Sequence, residues 1–352
     1  MGMTMLELHN IRKSYPGFEI MDLSLRVEKG EYFVLLGRSG SGKSMLLEII
    51  AGLRSCDSGS VILNGTDITK FKIQERKTGL VFQDFALFPH LTVYDNIAYP
   101  LRTKGMKKSD IDEKVKDMAW EMNITSLLER RPDTLSGGER QRVAVSRTLV
   151  TSPDIILLDE PMASIDTPLR DDLRRLLRDI NRKGMTIMHV THDFREAIRL
   201  AHRMGVMHNG HLVQTGSPDE IFSRPRNRFV ARFAGVQNFF NIAVERKGDT
   251  IRGKMKNGIE IELPEGNYGD DALIMIPNSE ISASGNFPAG SEIVAEGVVR
   301  EVNRAENGYE AYIESGDIFY LNLSHESWAV TPLLRGERVW ITFPGDAVRV
   351  LQ

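Results

Sequence analysis

The feature that most constrains the fold of this chain is a glycine-rich segment that joins an apolar run to a helix-forming run. Residues 37–44 read GRSGSGKS and fit the pattern G-x-x-x-x-G-K-[ST]. Residues 32–36 before them are typical of a buried strand, and residues 45–50 after them suit a helix. In that context, glycines let backbone N–H groups close around phosphates at the start of a helix.

Within this segment, Lys43 would reach the β- and γ-phosphates of a nucleotide, and the Ser44 hydroxyl would hold Mg²⁺. A glycine turn with a chance lysine would give the same letters, but it would not need a strand before it and a helix after it. The pattern therefore predicts a phosphate site whose residues are Gly37, Ser39, Gly40, Gly42, Lys43 and Ser44.

Two further apolar runs, residues 155–158 and 186–190, are also typical of strands buried on both faces. Between the runs lie helical patterns. One repeats apolar residues from Ile111 to Met122 behind Ser109 as an N-cap, and another spans residues 169–180 and ends near Gly184. Strands that alternate with helices predict an α/β fold with a mostly parallel sheet.

The run at residues 155–158 ends in two carboxylates, Asp159 and Glu160. Asp159 can meet Mg²⁺, usually through water, and Glu160 can orient or deprotonate an attacking water. Strands that end in solvated acids are common, so the pair gains its meaning from the phosphate-binding pattern upstream.

A second glycine motif, LSGGERQ at residues 135–141, precedes a helix-forming run. Ser136, Gly137 and Gly138 could offer a hydroxyl, bare backbone and a helix dipole to another phosphate, although an ordinary N-capped helix after a glycine turn has the same letters. The run resembles the signature of the ATP-binding-cassette (ABC) family at every position, and the other two motifs flank it in the expected order. The resemblance covers residues 4–235. It implies a P-loop ABC ATPase domain over residues 1–235, with a helical subdomain at about 84–150 and with ATP and Mg²⁺ as cofactors.

The resemblance assigns roles to four more residues. Tyr15 matches the aromatic residue that stacks on adenine, and Gln83 matches the glutamine that approaches Mg²⁺ and the attacking water. Asp166 lies in a segment, ASID, that resembles the one crossing between two cassettes, and His192 matches the histidine that contacts the γ-phosphate. The implied catalytic residues are Glu160, His192 and Gln83, and the implied metal contacts are Ser44, Gln83 and Asp159.

One chain supplies one P-loop and one signature. The family completes each ATP site with the P-loop of one cassette and the signature of another, so the resemblance implies a homodimer with two composite sites. Residues 83–90 would pass the closing and opening of that dimer to a membrane-spanning permease subunit.

Composition bears on the partners and the compartment. Lys and Arg total 45 and Asp and Glu total 48, so the net charge of −3 gives no support for a nucleic-acid partner. Cys56 is the only cysteine, which fits a reducing compartment. No stretch approaches the roughly 20 apolar residues of a membrane-spanning helix, and the first residues have no apolar signal core. We therefore expect a peripheral protein at the cytoplasmic face of the cell membrane.

After about residue 240, short β-like runs alternate with turn residues, and Asn257-Gly258 and Asn307-Gly308 are strong hairpin signals. This texture predicts a separate all-β region of small barrels at residues 241–352, and the family resemblance implies an OB-like domain of regulatory or dimerisation type at residues 236–352. Residues 273–281 and 340–348 also share a pattern of strand, proline, small turn residue and β-branched residue, which suggests an internal repeat.

Three kinds of machine compete for this chain: an importer ATPase, an exporter ATPase, and a soluble cassette protein for nucleic acid or ribosomes. The last usually carries two cassettes or long coiled coils, and exporters often fuse the cassette to membrane helices. The β-rich region resembles the regulatory barrels of importer ATPases for oxyanions, sugars, polyamines and iron. The importer is therefore predicted, with an extracytoplasmic solute-binding protein as an indirect partner.

Residues 46–52, 234–238 and 339–351 look similar to molybdate/tungstate importer ATPases. The barrel of that family often has Lys and Ser or Thr in its last turn, where residues 343–348 here have proline and Asp346, an acid that would repel an oxyanion. A polyamine, iron or sulfate importer remains the alternative for the solute, and a non-transport ABC ATPase is the remaining possibility.

Overall fold

The computed structural model of the chain describes residues 3–163, 165, 167–248, 250–288, 293–305 and 307–351. The chain divides into two compact units, residues 1–221 and 222–352. The division falls inside a short helix, Pro218–Ser223, whereas the family resemblance extends to about residue 235.

The first unit contains strands on which a nucleotide site can be built. In chain order, they are β1 (Thr4–Tyr15), β2 (Phe18–Glu28), β3 (Tyr32–Gly37), β4 (Ser58–Leu63), β5 (Thr66–Asp67), β6 (Thr78–Val81), β7 (Ile155–Asp159), β8 (Thr186–Thr191), β9 (Arg203–His208) and β10 (His211–Gly216).

Six of these strands form one sheet in the order β10-β9-β3-β8-β7-β6, in which neighbours run parallel except for β10. The three predicted apolar runs are β3, β7 and β8, and every residue of β3 and β8 is buried. The α/β prediction is confirmed. Because the strands are parallel, their carboxyl ends meet at one edge, where P-loop and acidic residues are brought together.

The remaining strands form a four-stranded antiparallel sheet in the order β2-β1-β4-β5. A single apolar core joins residues of this sheet, of the parallel sheet and of the helix that follows β3. Leu46, Leu47 and Ile50 of that helix have no exposed surface, so the helix is fixed between the two sheets.

The helices begin and end as follows: α1 (Lys43–Ala51), α2 (Val93–Thr103), α3 (Lys108–Glu121), α4 (Gly137–Leu149), α5 (Thr167–Arg182), α6 (Phe194–Leu200), α7 (Pro218–Ser223), α8 (Arg228–Phe233) and α9 (His325–Val330).

The predicted cap of α3 is wrong. The helix begins earlier than predicted, with Lys107 as its N-cap, and Ser109 lies inside the first turn with its hydroxyl donating to Asp110 Oδ1. A serine within the first turn can satisfy a neighbouring carboxylate as readily as a backbone N–H, so the letters do not fix the register of the cap.

The second unit is all-β apart from α8, α9 and short turns, as predicted. Its strands are β11 (Asn238–Lys247), β12 (Thr250–Lys254), β13 (Glu260–Leu263), β14 (Asp271–Ile276), β15 (Ser282–Ser284), β16 (Ile293–Ala305), β17 (Gly308–Ser315), β18 (Asp317–Leu323), β19 (Arg338–Phe343) and β20 (Arg349–Leu351). They form two antiparallel five-stranded sheets, β13-β12-β11-β14-β20 and β15-β19-β16-β17-β18, around one apolar core, in agreement with an OB-like fold.

The suspected repeat has a structural counterpart. β14 and β19 are each followed by a proline and a single 3₁₀ turn, Asn278–Glu280 and Gly345–Ala347. The chain then crosses to the other sheet in both cases: β15 pairs with β19, and β20 pairs with β14. The two halves of the unit therefore exchange a strand through equivalent turns.

Candidate nucleotide-binding site

The phosphate-binding segment forms the connection between β3 and α1, so Gly37, Ser39, Gly40 and Gly42 lie at the carboxyl edge of the parallel sheet. Gly42 has φ 100°, the left-handed region that favours glycine, and α1 starts directly after it. At Gly37 a side chain has no room, because an added Cβ would lie 2.5 Å from the Met207 carbonyl oxygen. Gly37 therefore lets the end of β3 lie against Met207, and Gly42 lets the loop turn directly into α1, a form in which backbone N–H groups can bind phosphate.

Lys43 points back into this loop. Its side chain is buried, and Nζ donates to the carbonyl oxygens of Gly37 at 2.9 Å and Arg38 at 3.1 Å. Burial lowers the pKa of Lys43, while the carboxylates of Glu160 and Asp159 oppose that shift. The ammonium group of Lys43 is suited to bind a triphosphate in this desolvated loop. The negative charge of a triphosphate exceeds that of the two carboxylates and would attract the cation more strongly.

Ser44 and Asp159 meet at the next position. The Ser44 hydroxyl donates to Asp159 Oδ1 at 2.9 Å and so joins the first turn of α1 to the end of β7. Burial raises the pKa of Asp159, and the hydrogen bond from Ser44 opposes this shift. A hydroxyl and a partly desolvated carboxylate are oxygen ligands of the kind that Mg²⁺ prefers, and a divalent cation would offset the cost of keeping Asp159 ionised. The residues present therefore fit Mg²⁺.

Glu160 and His192 follow the ends of two neighbouring parallel strands, β7 and β8. His192 Nδ1 lies 3.0 Å from Glu160 Oε2. Glu160 has φ 42°, unusual for a residue with a side chain, and its N–H donates to the Val190 carbonyl at 3.0 Å. The Glu160 side chain is 16% exposed and that of His192 is 56% exposed, so the pair borders solvent, where a nucleotide could reach it.

The residues beneath His192 were not predicted from the sequence. The Thr191 hydroxyl donates to buried Glu196 Oε2 at 2.9 Å and so ties the end of β8 to α6. Behind them His189, fully buried, has its Nδ1 3.1 Å from the Tyr32 hydroxyl. Burial lowers the pKa of His189 to about 3, so this ring is neutral. These hydrogen bonds fix the end of the strand that carries His192.

Tyr15 ends β1 and is partly exposed, at 37%. Its hydroxyl accepts from Arg54 Nη1 at 2.8 Å, and the cations of Lys13 and Arg54 lie 5.4 and 5.5 Å from its ring centroid. Arg54 also pairs with Glu48 of α1. The P-loop helix thus holds the ring in place, which is a suitable arrangement for an aromatic platform under a base.

Gln83 stands two residues beyond β6. Val81 pairs with Leu158 in the parallel register, so Gln83 lies at the same edge as Asp159 and Glu160. The turn that follows is strained: Phe85 has φ 65° and Ala86 has φ 43°. Left-handed backbone costs a residue with a side chain roughly 1–2 kcal/mol. Arg147 of α4 donates to both of their carbonyl oxygens, a contact that the sequence did not reveal.

The signature residues lie at the start of α4. Ser136 is the N-cap: its hydroxyl accepts the Glu139 N–H at 3.3 Å, while Glu139 Oε2 accepts the Ser136 N–H at 2.8 Å. Gly137 and Gly138 form the first turn. Both hydrogen bonds between Ser136 and Glu139 are local to the start of the helix. Asp166, the remaining predicted site residue, lies outside the described residues.

Two features of the described part of the chain bear on membranes and metals. Within it, no helix is long and apolar enough to cross a membrane. Nor do the described residues contain a group of three or more His, Cys, Asp or Glu side chains able to hold a metal. A metal at Ser44 and Asp159 would therefore draw further ligands from a nucleotide or water.

The chain is similar to known proteins. A profile described as "ABC transporter" matches residues 20–163. The molybdate/tungstate import ATP-binding protein WtpC of Pyrococcus abyssi is 38% identical over 98% of this chain and 100% of its own length. The spermidine/putrescine import ATP-binding protein PotA of Hahella chejuensis is 41% identical over 68% of this chain and 66% of its own length.

A solved structure is similar as well. It is the ADP conformation of an ATP-binding cassette of an ABC transporter, with a TM-score of 0.58 and 25% identity. The match covers 66% of this chain and 98% of that one.

Proposed function

Because this chain belongs to the ABC transporter family of ATP-binding proteins and is an ATPase coupled to transport, we propose that it drives a solute importer. The observation that supports the ATPase chemistry best is one edge of one sheet, where Lys43, the Ser44–Asp159 pair and the Glu160–His192 pair stand together. Each pair joins residues far apart in sequence at hydrogen-bonding distance.

At the phosphates, Lys43 would exchange its two carbonyl acceptors for β- and γ-phosphate oxygens, and the N–H groups that start α1 would bind the same chain of phosphates. Ser44 and Asp159, joined by Gln83, would hold Mg²⁺. When bound, the metal would neutralise negative charge on the phosphates.

For hydrolysis, Glu160 would accept a proton from the attacking water, and His192 would contact the γ-phosphate and hold the carboxylate in place at 3.0 Å. Gln83, at the same edge, would orient that water. Tyr15 would stack on the adenine, since Arg54 fixes its ring beside α1.

The signature would serve a second copy of the chain. The Ser136 hydroxyl, the N–H groups of Gly137 and Gly138 and the helix dipole lie at the start of α4, where they would meet the γ-phosphate held by a partner's P-loop. Asp166 would lie in the segment that crosses between the copies. We therefore propose a homodimer of residues 1–235 domains, peripheral at the cytoplasmic face of the membrane and bound to permease subunits.

For the solute, we propose molybdate or tungstate. The similarity to a molybdate/tungstate import protein runs through 98% of the chain and so includes residues of the β unit, whereas the polyamine relative aligns with 68%. The second candidate is a polyamine, because the spermidine/putrescine relative is 41% identical over the residues with which it aligns. Residues 236–352 would be the regulatory or dimerisation domain.

The test is uptake by cells in which the native protein is replaced by Glu160→Gln or, as a matched control, by Glu113→Gln, an exposed carboxylate on α3. We expect Glu160→Gln to lower molybdate and tungstate accumulation by at least about tenfold, because transport follows hydrolysis, while Glu113→Gln has no effect. Spermidine and sulfate uptake are measured in parallel. A loss of spermidine uptake with normal molybdenum and tungsten content would contradict the proposed solute.

A further inference from the structure

The loop that carries Gln83 is held from outside by the side chain of Arg147. This residue belongs to the last turn of α4, and its guanidinium donates through Nη1 to the Ala86 carbonyl at 2.7 Å and through Nη2 to the Phe85 carbonyl at 3.1 Å. The same group lies 5.4 Å from the ring centroid of Phe88. One cation thus contacts three residues of the loop.

These contacts fall where the loop needs support. Phe85 and Ala86 are consecutive residues with side chains in the left-handed region, at φ 65° and 43°. Such a pair does not hold its conformation by itself, and the surrounding structure must impose it. Phe85 is buried and its N–H donates to the Phe82 carbonyl at 3.0 Å, so a change in this turn would move Gln83, which lies inside it.

The far side of the loop has its own anchor. Buried Asn96 of α2 accepts the Phe88 N–H at 2.9 Å and donates to the carbonyl oxygens of Phe88 and Thr92. Arg147 acts on the half next to Gln83. The guanidinium of Arg140 also lies there, 6.0 Å from the ring centroid of Phe85, but Arg147 donates the hydrogen bonds to the turn. Burial lowers the pKa of Arg147, and the nearby carboxylate of Asp84 opposes this shift. The guanidinium is thus partly desolvated, and its hydrogen-bond acceptors compensate for the lost water.

α4 also packs closely against β6, the strand that leads into the loop. An added Cβ at Gly79 of β6 would lie 2.3 Å from Thr148 Cγ2, so the strand and the helix touch with no room for a side chain at this position. At its other end the same helix begins with Ser136. A rigid helix thus reaches from the signature to the strained turn beside Gln83.

We propose that Arg147 is a positioning residue: it holds the Phe85–Ala86 turn in its strained form and so ties the placement of Gln83 to the position of the signature helix. This rests on the proposed role of Gln83. In a dimer, the signature of one copy would meet the nucleotide bound to the other copy. Through α4 and Arg147, that contact would affect the placement of Gln83 in the copy that supplies the signature.

The main test compares Arg147→Met with Arg142→Met in the purified full-length protein. Arg142 is a matched control, since it lies on the same helix and its Nη1 donates to a backbone carbonyl, that of Met122, away from the loop. We expect Arg147→Met to lower kcat between about tenfold and a hundredfold, as for a misplaced reacting group, with the KM for ATP within twofold. Arg142→Met should keep the wild-type kcat. Melting temperatures show whether each variant is folded.

Two combinations distinguish positioning from general packing. Ala86→Gly should restore at least threefold of the kcat lost in Arg147→Met, because glycine adopts the left-handed conformation without support. In a Gln83→Ala background, Arg147→Met should cost less than twofold, since both changes then act on the same missing group.

Additive losses with Gln83→Ala, or no gain from Ala86→Gly, would overturn the inference. Glu160→Gln is measured in the same series and separates the two levels. If it hydrolyses ATP at the wild-type rate, the proposed function fails. If it is inactive while Arg147→Met behaves like Arg142→Met, only the role of Arg147 fails.

Discussion

The carboxylate of Glu160 is aimed by its own backbone. The φ of 42° turns the residue out of the line of β7, and the hydrogen bond from its N–H to Val190 ties that turn to β8. Strain of roughly 1–3 kcal/mol is tolerated at such a place when the surroundings fix it, and it is often found at active sites. The consequence is a carboxylate that meets His192 rather than extending along the strand.

Glu160→Gln should retain ATP binding and lose most turnover. Glutamine keeps the shape of the side chain but cannot take the proton of the water, while Lys43 and Ser44 still bind the nucleotide. We expect kcat to fall by about 10²-fold or more, with the affinity for ATP within about threefold. ATP should then trap a closed dimer that light scattering detects. Hydrolysis near the wild-type rate would remove Glu160 from its assigned role.

The motif residues of the site could be predicted because each is marked by its neighbours in the chain. The residues that hold these motif residues in place could not be predicted in this way. Arg147 bonds to carbonyls that lie 61 and 62 residues away, and Arg54 bonds to a hydroxyl 39 residues away. An arginine that donates to backbone carbonyls leaves no signal at the acceptor, because every residue has a carbonyl. The strained turn at Phe85 and Ala86 has no glycine to mark it.

At the scale of elements, α4 combines two roles. Its first turn is stabilised by the reciprocal bonds of Ser136 and Glu139, and its last turn carries Arg147. The strands β3, β7 and β8 were predictable because they are largely buried on both faces and therefore mostly apolar. The start of α3 was not, because Lys107, a residue without a capping side-chain hydrogen bond, precedes it.

Ser136→Arg should prevent ATP-driven dimerisation and leave the nucleotide affinity of the single chain nearly unchanged. The arginine would place volume and charge where a partner's γ-phosphate must lie. Ser136→Ala is the control, since it also removes the cap, at a cost of about 0.5–2 kcal/mol, but adds no bulk. The measurement is ATP-dependent dimerisation by light scattering, together with nucleotide binding by fluorescence titration.

Mixing Ser136→Arg with Lys43→Ala extends the test, because the two lesions meet at one interface and leave the other site intact. The mixture should regain ATPase activity that neither variant has alone, up to about a quarter of the wild-type value if half of the dimers are mixed. Wild-type specific activity that does not change between dilute and concentrated protein, with no recovery on mixing, would contradict the composite site.

At the scale of the whole molecule, the β unit has an internal order of its own. After β14 and after β19, an equivalent turn leads the chain into a strand of the opposite sheet. In the sequence this repeat is visible only as a shared strand-proline pattern, because the two turns differ in their exposed residues, including the acids. These exposed acids bear on whether the turns bind an oxyanion.

Two polar side chains at these turns, Arg349 and Asn278, are already hydrogen-bonded within the β unit. Arg349, the cation beside the second turn, donates to the carbonyl oxygens of Asp346 and Val348. In the first turn, buried Asn278 uses its side-chain oxygen to accept from the Gln237 N–H and from Asn238 Nδ2. An oxyanion would have to displace these bonds before it could use the same donors.

We predict that the full-length protein does not bind molybdate or tungstate at these turns. Each carries an exposed acid, Glu280 in one and Asp346 in the other, and a carboxylate repels an oxyanion. Calorimetric titration of both oxyanions, with sulfate as the control, should give no saturable heat, and micromolar molybdate should leave ATPase activity unchanged. Saturable heat with molybdate or tungstate but not sulfate, lost in Arg349→Ala, which removes the cation beside the second turn, would make the β unit a sensor of the transported solute instead of a structural contact.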